Sequence, residues 1–424
     1  MTAVLSHESS ARATVAASDT DRTRRLLVTV LLVLIGVTVM QRLAVPGSGG
    51  LLGVGFVLCF AVSVLALLNG QMAIDPVRLV LYLLALATLL ATLFFQRQPF
   101  SQVSFVMLAA MYLPAVLAFH FTAYRYRLLL EVFQRVAAFS AIAGLVQFAL
   151  QIPFGPAIMW PLDLVLPEPF FLQGFNLRIP VGETGLFKST GLFFLEPSIF
   201  SQILALAIVV ELIDRRRPLM LALFGVAYLS TFSGSGALML AALGLPLLIR
   251  ARRQWLLAPA VLCLLAAPLL QDVPPFSFFF GRLEELDRPM ASGSMRFIAP
   301  YWLVADVLWS DPRTLLFGFG PGSVDEIIAQ RDYAVQDSSW LKLLIEYGLV
   351  GTVGFFTFYL WVLFRHAPDR LLAFACLFQF LFLGGYLNAY YVQFLHMALV
   401  IWPRLETAAT FGDTRRAHEY RDPE

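Results

Sequence analysis

Long apolar runs with few charged residues recur along the whole chain, and they decide what it can fold into. A helix that crosses a bilayer needs about 20 mostly apolar residues. Runs that meet or approach this length lie near residues 25–44, 51–68, 77–96, 102–121, 131–152, 190–212, 218–233, 235–250, 255–271, 339–364, 370–387 and 388–403. Charged residues make up only 14% of the chain, against about 25% in globular proteins. We therefore expect an all-α polytopic membrane protein with about twelve transmembrane helices, and we exclude a soluble enzyme.

Arginines concentrate in every second loop between these runs, and this alternation predicts the orientation. If the N-terminus is inside, the inner loops include "DRRRP" (214–218) and "RARR" (250–253). Cytoplasmic loops carry the excess of positive charge in membrane proteins. Both termini are therefore expected in the cytoplasm, with residues 1–24 as a disordered tail and 404–424 as a second tail.

Two loops on the opposite, outer side are much longer than the rest. The expected order is five spans in 25–152, loop one at 153–189, four spans in 190–271, loop two at 272–338 and three spans in 339–403. Loops of this length in a compact protein usually carry function. Within loop two, Ser323 and Glu326 have the spacing of a capping box and predict that a short helix starts there.

Lys188 and Lys342 are the only lysines of the chain, and both stand where an outer loop meets an apolar run. We expect each at the outer N-terminus of a helix that runs inward. Unpaired N–H groups and a partial positive charge make such a terminus attractive to anions, and a lysine strengthens the attraction. For Lys342 the alternative is an ion pair with Glu346, four residues later, in a lysine that only reaches for the interface.

Two carboxylates are candidates for chemistry. Glu196, in "LFFLEPSIF", is expected about two turns into an apolar helix that Pro197 kinks. An ionisable group at that depth is costly and indicates a functional site, the alternative being a structural glutamate paired with an arginine. Asp337 precedes the helix expected from residue 339, and it is either a general base or the N-cap of that helix.

The outer loops also supply arginines that can hold a phosphate. Arg296 stands in loop two, just before an apolar stretch that bears Trp302 and Trp309. A guanidinium grips phosphate oxygens two at a time and stays charged when partly desolvated. Arg178 in loop one competes for the same role. The alternative for each is an ordinary interfacial arginine.

Several classes of site have no signature in this sequence. It contains no nucleotide-binding fingerprint, no acidic pair clearly placed for a metal and no histidine–cysteine cluster. A basic patch with stacking aromatics, which nucleic-acid binding requires, is also missing. We therefore expect no metal, no cofactor and no nucleic-acid partner. A lipid-linked substrate presented at the outer face fits the topology better than a cytosolic sugar nucleotide.

Four stretches follow one another within residues 186–365: "STGLFFLEPSIFSQ", "S-x-R…W" around Arg296, "LLFGFGPGS" and "SSWLKLLIEYGLVG". In this order they resemble the O-antigen ligase and Wzy-type polysaccharide polymerase superfamily. Three positions depart from the family pattern. Asp337 replaces the usual histidine, Ser338 replaces the asparagine after it, and Lys188 stands where an arginine is common. Since the ligases depend on that histidine, its replacement favours a polymerase.

The resemblance implies a GT-C-like, all-helical glycosyltransferase of the bacterial inner membrane that needs no metal. Its donor would be an oligosaccharide on undecaprenyl diphosphate, and its acceptor a sugar hydroxyl on a second lipid-linked repeat at the periplasmic face. Arg296, Lys188, Arg178 and Lys342 would hold the donor diphosphate, while Glu196 or Asp337 would take the proton of the acceptor. A flippase and a chain-length regulator of the same pathway would be partners besides the bilayer itself.

Two other functions remain open on the sequence. One is an O-antigen ligase, which uses the same donor and transfers the glycan to a lipid A core or a protein. The other is a flippase for lipid-linked sugars, which belongs to a different class of protein. A transporter is expected to have charged or broken helices around a central path, whereas here the polar residues concentrate on the outer side.

Overall fold

The computed structural model describes residues 21–96, 99–250 and 292–405. Most of these residues are helical. The first helix, α1, covers residues 21–37, so the expected tail ends earlier than residue 24. The ninth expected span (255–271), the first part of loop two and most of both tails lie outside the described residues.

Fifteen further helices follow α1 within the described ranges. They are α2 (Val54–Leu68), α3 (Pro76–Leu93), α4 (Gln102–Tyr112), α5 (Ala123–Phe154), α6 (Pro161–Val165), α7 (Pro197–Ile213), α8 (Pro218–Ser230), α9 (Gly234–Arg250), α10 (Ser292–Phe297), α11 (Ala299–Val307), α12 (Pro312–Phe317), α13 (Val324–Ala329), α14 (Ser339–Phe364), α15 (Arg370–Phe382) and α16 (Tyr390–His396). The split between α8 and α9 at "FSGSG" and the short helix α13 in loop two are confirmed.

Three of these helices, α3, α5 and α14, are long and apolar enough to cross a membrane. Seven shorter apolar elements accompany them in the described residues. Two expected spans differ most from the structure. The run 102–121 ends its α-helix at Tyr112 and continues as a 3₁₀ turn and a strand, and the run 388–403 is a short α-helix followed by a π-helical turn at Met397–Ile401.

A small sheet closes one end of the bundle. Strand β1 (Ala73–Ile74) pairs antiparallel with β2 (Leu117–Phe121), and β3 (Pro403–Leu405) pairs parallel with β2. In the second pairing, Phe119 stands opposite Pro403. The apolar runs did not predict this sheet, because β2 and β3 lie at the ends of the runs 102–121 and 388–403 and β1 has only two residues.

The connections between the helices form two groups. Among the described residues, the hydrogen bonds and ion pairs between connections join members of the same group. At the "loop end", formed by residues 43–53, 94–101, 155–196 and 292–338, the Ser101 amide donates to the carbonyl of Pro321 at 2.8 Å and the Gln173 amide to that of Gly50 at 3.3 Å. At the "arginine end", formed by 73–78, 117–127, 214–217, 365–370 and 403–405, Arg127 pairs with Asp214 at 3.6 Å.

Helix α14 bends where loop two packs on it. Gly348 has φ 62° and ψ −169°, a conformation that is essentially restricted to glycine. A Cβ on Gly348 would lie 2.4 Å from main-chain atoms of Leu316 and Phe317, and a Cβ on Gly318 would lie 2.6 Å from the main chain of Glu346. Two backbones that approach this closely leave no room for side chains, so the bend and the glycine turn of loop two fix each other.

We predict that Gly348→Ala destabilises the protein by at least about 2 kcal/mol, because the left-handed conformation alone costs about 1–3 kcal/mol and the new methyl group also meets backbone atoms. The matched control is Gly244→Ala in α9, where a Cβ meets open space and should be neutral or stabilising by up to about 1 kcal/mol. Thermal unfolding of the purified protein in detergent measures both. Equal midpoints for the two variants would contradict this account of the bend.

Candidate functional site

Arg296 is the residue at which three parts of the chain meet: helix α10, the start of α9 and the segment before α14. It lies on α10, and its Nη1 donates to the hydroxyl of Ser235 at 2.6 Å. Its Nε donates to the side-chain oxygen of Gln336. The backbone of Gln336 in turn donates to the carbonyl of Met295 at 3.0 Å. Arg296 therefore ties loop two to the start of α9 and to the segment that leads into α14.

The N-termini of three long helices converge around this arginine. Helices α7, α9 and α14 begin at Pro197, Gly234 and Ser339. The starts of α7 and α9 touch, because the Gly236 amide donates to the Ser201 hydroxyl at 3.2 Å. Each terminus adds a partial positive charge to that of the guanidinium. The arrangement is therefore suited to bind an anion.

Glu196 stands at the start of α7 and not inside it, so the expected kink is wrong. It is the N-cap residue, and Pro197 takes the first helical position, where the missing N–H of proline costs nothing. The carboxylate of Glu196 accepts a hydrogen bond from the Ser198 hydroxyl at 2.8 Å and one from the Asn176 amide at 3.3 Å. The expected span 190–212 is shortened for the same reason, since 190–196 are not helical.

Lys342 lies in the first turn of α14, as expected, and its side chain is paired. Its Nζ lies 3.0 Å from Glu346 and 4.0 Å from Asp337. The ion pair that was the alternative for Lys342 is therefore present. Glu346, only 1% exposed, also accepts a hydrogen bond from the Gly322 amide at 2.9 Å. This carboxylate fixes the glycine turn of loop two to α14.

Asp337 is not the N-cap of α14, because that position belongs to Ser338. Burial raises the pKa of the Asp337 carboxyl, and the positive charge of Lys342 lowers it in part. The side chain keeps 34% of its surface exposed, so protons can still reach it. Beside it, the Ser338 hydroxyl is buried and has no hydrogen-bond partner among the residues that the structure describes. Asp337 thus has the properties of a proton acceptor at an open position.

Lys188 and Arg178 belong to loop one. The Lys188 amide donates to the Ile179 carbonyl at 2.9 Å, so the two cations lie on adjacent segments. Between Lys188 and the start of α7 at Pro197, residues 189–196 are not helical. Arg178 pairs with Asp163 at 3.5 Å and its guanidinium lies 4.9 Å from the centre of the Trp160 ring. The helix N-terminus expected at Lys188 is therefore wrong, because the chain reaches helical conformation only at Pro197.

Two contacts that hold loop one were not predicted. In the first, Arg42, 4% exposed, also pairs with Asp163. Its place as one of two arginines in the short outer loops was the only signal. In the second, the buried hydroxyls of Ser189 and Thr190, which follow Lys188, bond to Gln147 of α5. Their hydroxyls hold loop one against the bundle and do not cap α7.

A buried chain of polar side chains runs from this site into the bundle. The Tyr386 hydroxyl donates to the side-chain oxygen of Gln202 at 2.8 Å, and the Gln379 amide donates to the same oxygen at 3.0 Å. The chain continues from Gln379 to His396 at 3.0 Å and from His396 to Tyr359 at 2.9 Å. Because buried polar groups are costly unless bonded, this chain fixes α7, α14, α15 and α16 in one register. Glutamines and a histidine inside apolar runs were the available signal.

Tyr386 and Tyr391 stand among the charges of the site. The charges of Arg296 and Glu196 both act on the Tyr386 hydroxyl, and those of Glu196 and Asp337 both act on the Tyr391 hydroxyl. The backbone amide of Tyr386 donates to the Ser339 hydroxyl at 3.1 Å. Glu196, Arg296 and Asp337, far apart in sequence, are thus brought around one pair of tyrosines.

Strained backbone borders the site on two sides. Leu192 and Phe232 have φ angles of 69° and 45°, and both are non-glycine residues. They lie in the turns that lead into α7 and α9, the two helices that start beside Arg296. Such conformations cost about 1–3 kcal/mol each and cluster at functional sites.

No protein-family model matches the chain, and no curated protein is similar to it in sequence. Among the described residues, no three histidine, cysteine, aspartate or glutamate side chains lie together as metal ligands would.

The Lys342–Glu346 pair gives a prediction about stability. Lys342→Met should destabilise the protein by about 3–5 kcal/mol, because it leaves a buried carboxylate without its counter-ion. The double variant Lys342→Met/Glu346→Gln should be clearly more stable than this single one, because the glutamine is neutral and its oxygen can still accept from Gly322. Thermal unfolding in detergent compares the two. A double variant no more stable than Lys342→Met would show that the uncompensated charge is not the cause.

Proposed function

We propose that this protein is a polysaccharide polymerase, a metal-independent glycosyltransferase that joins repeat units carried on undecaprenyl diphosphate. The observation that supports the proposal best is the position of Arg296. It lies where three helix N-termini converge, with Glu196 and Asp337 around the same pair of tyrosines. A strong anion-binding position beside two carboxylates is what transfer from a diphosphate leaving group requires. The sequence resemblance described above points to the same chemistry.

The reaction assigns a task to each charge. The hydroxyl of one lipid-linked repeat attacks the anomeric carbon of the other. The bond from that carbon to the diphosphate oxygen breaks, and its electron pair leaves with undecaprenyl diphosphate. Negative charge grows on the diphosphate as the bond breaks, so Arg296 and the helix termini stabilise the transition state more than the bound donor. The proton of the attacking hydroxyl goes to a carboxylate.

We assign that proton to Asp337. Burial raises its pKa, and a carboxylate with a raised pKa is a stronger base. Lys342, which contacts Asp337, is assigned to keep it ionised rather than to bind the diphosphate directly. Glu196 is already engaged by Ser198 and the Asn176 amide. Its proposed task is to stabilise the positive charge that develops on the sugar ring.

The loop one cations are assigned to a different part of the substrate. Lys188 and Arg178 lie on adjacent segments, and Arg178 stacks on Trp160. We place them at the entry of the donor, where they attract the diphosphate before it reaches Arg296. Attraction by clustered charge raises the rate at which a charged ligand arrives.

The proposed setting is the bacterial inner membrane, with a GT-C-like bundle of about twelve crossings and the loop end in the periplasm. The separation of arginine-rich connections from the long loops supports this orientation, because positive loops stay in the cytoplasm. Both termini would then be cytoplasmic. A flippase that delivers the repeats and a chain-length regulator are the proposed partners.

Replacement of Arg296 tests the proposed function. Arg296→Ala should lower polymer formation by about 100-fold or more, by analogy with the loss of one donor from a preorganised oxyanion site. Arg296→Lys should also be clearly impaired, because an ammonium lacks the planar fork of guanidinium. The controls are Arg313→Ala, whose guanidinium bonds to the Phe95 carbonyl, and Arg331→Ala; both should keep most activity.

The readout is the pool of lipid-linked glycans in cells with equal amounts of membrane-inserted protein. The proposal expects single repeats to accumulate when Arg296 is replaced. Accumulated long chains would identify a ligase, and a loss of outward-facing repeats would identify a flippase. Full-length polymer from Arg296→Ala would refute the assignment of the diphosphate to this residue.

The base assignment predicts a dependence on pH. A base works only when deprotonated, so wild-type activity should rise as the pH rises through the pKa of Asp337. Because that pKa is raised, the rise should lie above the ordinary aspartate range near about 3.9. Asp337→Asn should be about 100-fold or more less active than the wild type, and its activity should no longer rise with pH in this range. Glu196→Gln should lower the rate and keep the rise. Polymerisation in proteoliposomes across a pH series decides, and an unchanged acidic limb in Asp337→Asn would exclude Asp337 as the base.

A further inference from the structure

A groove lies between α1 and α5 at the arginine end, opposite the candidate site. Its volume is about 690 Å³. Its lining divides into a polar group and an apolar group, the first being Thr23, Arg24, Thr122, Tyr124 and Arg125 and the second Leu27, Val28, Leu31, Leu128 and Val132. The polar group lies at the N-terminal ends of the two helices, and the apolar group follows along the helices toward the middle of the bundle.

The polar part of the groove is cationic. Arg24 and Arg125 contribute two positive charges, and no acidic side chain lines the groove among the described residues. Helix α5 begins at Ala123, so its partial positive charge adds to that of the arginines. A neighbouring groove on the other side of α1 differs in this respect, because Asp21 lines it together with Arg24 and Arg25.

The apolar part is open to its surroundings. Val28 and Leu31 keep 48% and 37% of their surface exposed, and Tyr124 at the polar end keeps 70%. An anion without a hydrocarbon chain would contact the arginines and leave this apolar wall uncovered. The two parts together match one amphiphile that has an anionic head and an acyl chain.

We propose that this groove binds one phospholipid with an anionic headgroup, its phosphate at Arg24 and Arg125 and an acyl chain along Leu27, Leu31 and Leu128. The site is separate from the proposed reaction and does not depend on it. Basic pockets between transmembrane helices bind anionic headgroups in this way. The bound lipid would join α1 to α5, the helix whose far end holds loop one through Gln147.

The test uses delipidated full-length protein and native mass spectrometry, which counts bound lipid molecules. Dioleoyl phosphatidylglycerol is the anionic probe, and dioleoyl phosphatidylcholine is the zwitterionic one. Wild-type protein should retain one phosphatidylglycerol more tightly than any phosphatidylcholine. Arg24→Gln/Arg125→Gln should weaken that binding about 30-fold, since each basic residue near the surface contributes about 1 kcal/mol. Glycerol phosphate, which has the head without the chains, should not compete at matched concentration.

The matched control is Arg25→Gln/Arg127→Gln. It removes the same charge from neighbouring positions of the same two helices, and neither residue lines the groove. Equal weakening by both double variants would overturn the proposal in favour of general surface charge, and so would equal retention of the two lipids by wild-type protein. If the first double variant does not fold, Leu31→Asn takes its place, since it keeps both arginines and should still weaken retention. Unchanged retention in Leu31→Asn would also overturn the proposal.

Discussion

The hold of Glu346 on loop two is the constraint on which the arrangement of the loop end depends. Its side chain accepts from the Gly322 amide and pairs with Lys342, while its carbonyl accepts from the Gly320 amide at 2.8 Å. A buried carboxylate with these partners cannot be moved without exposing a charge to an apolar interior. Loop two is therefore fixed to α14. Helix α10 with Arg296 and the segment with Gln336 belong to loop two and are fixed with it.

From this anchor the geometry of the candidate site follows in two steps. Arg296 reaches from loop two to Ser235 and Gln336, so the start of α9 is fixed relative to α14. The buried chain through Gln202 then sets α7, and with it Glu196, against the Tyr386 turn. Preorganised charge of this kind lowers a barrier because it does not have to be assembled during the reaction. The turns at Leu192 and Phe232 keep backbone conformations that non-glycine residues disfavour, as expected where the surrounding contacts fix the site.

Much of the helical framework could be predicted from the apolar runs, and so could contacts within one turn of helix. The Lys342–Glu346 pair is of this kind, since residues four apart on a helix face each other. The start of α7 could have been recognised as well, because a proline after a polar residue is typical of the first helical position. Read as a kink, the same proline gave a span that began too early and a glutamate placed too deep.

The rest of the site could not be read from the sequence because it depends on contacts between distant segments. Nothing near Tyr386 indicates that Gln202 will orient it, and nothing near Arg42 indicates that loop one will fold over it through Asp163. Polar residues inside apolar runs indicated that partners exist, and only the fold decides which ones. The β-sheet at the arginine end was missed because its strands do not differ in composition from the apolar runs around them and because their pairing joins distant segments.

The central claim is that Arg296 and the surrounding helix N-termini hold the leaving diphosphate. The most direct measurement is an electron cryomicroscopy structure of the protein in lipid nanodiscs with undecaprenyl diphosphate bound. We expect density for the diphosphate within hydrogen-bonding distance of the Arg296 guanidinium and facing the first turn of α14. Density for the diphosphate at Arg42 and Arg178 instead, with the surroundings of Arg296 unchanged, would contradict the account.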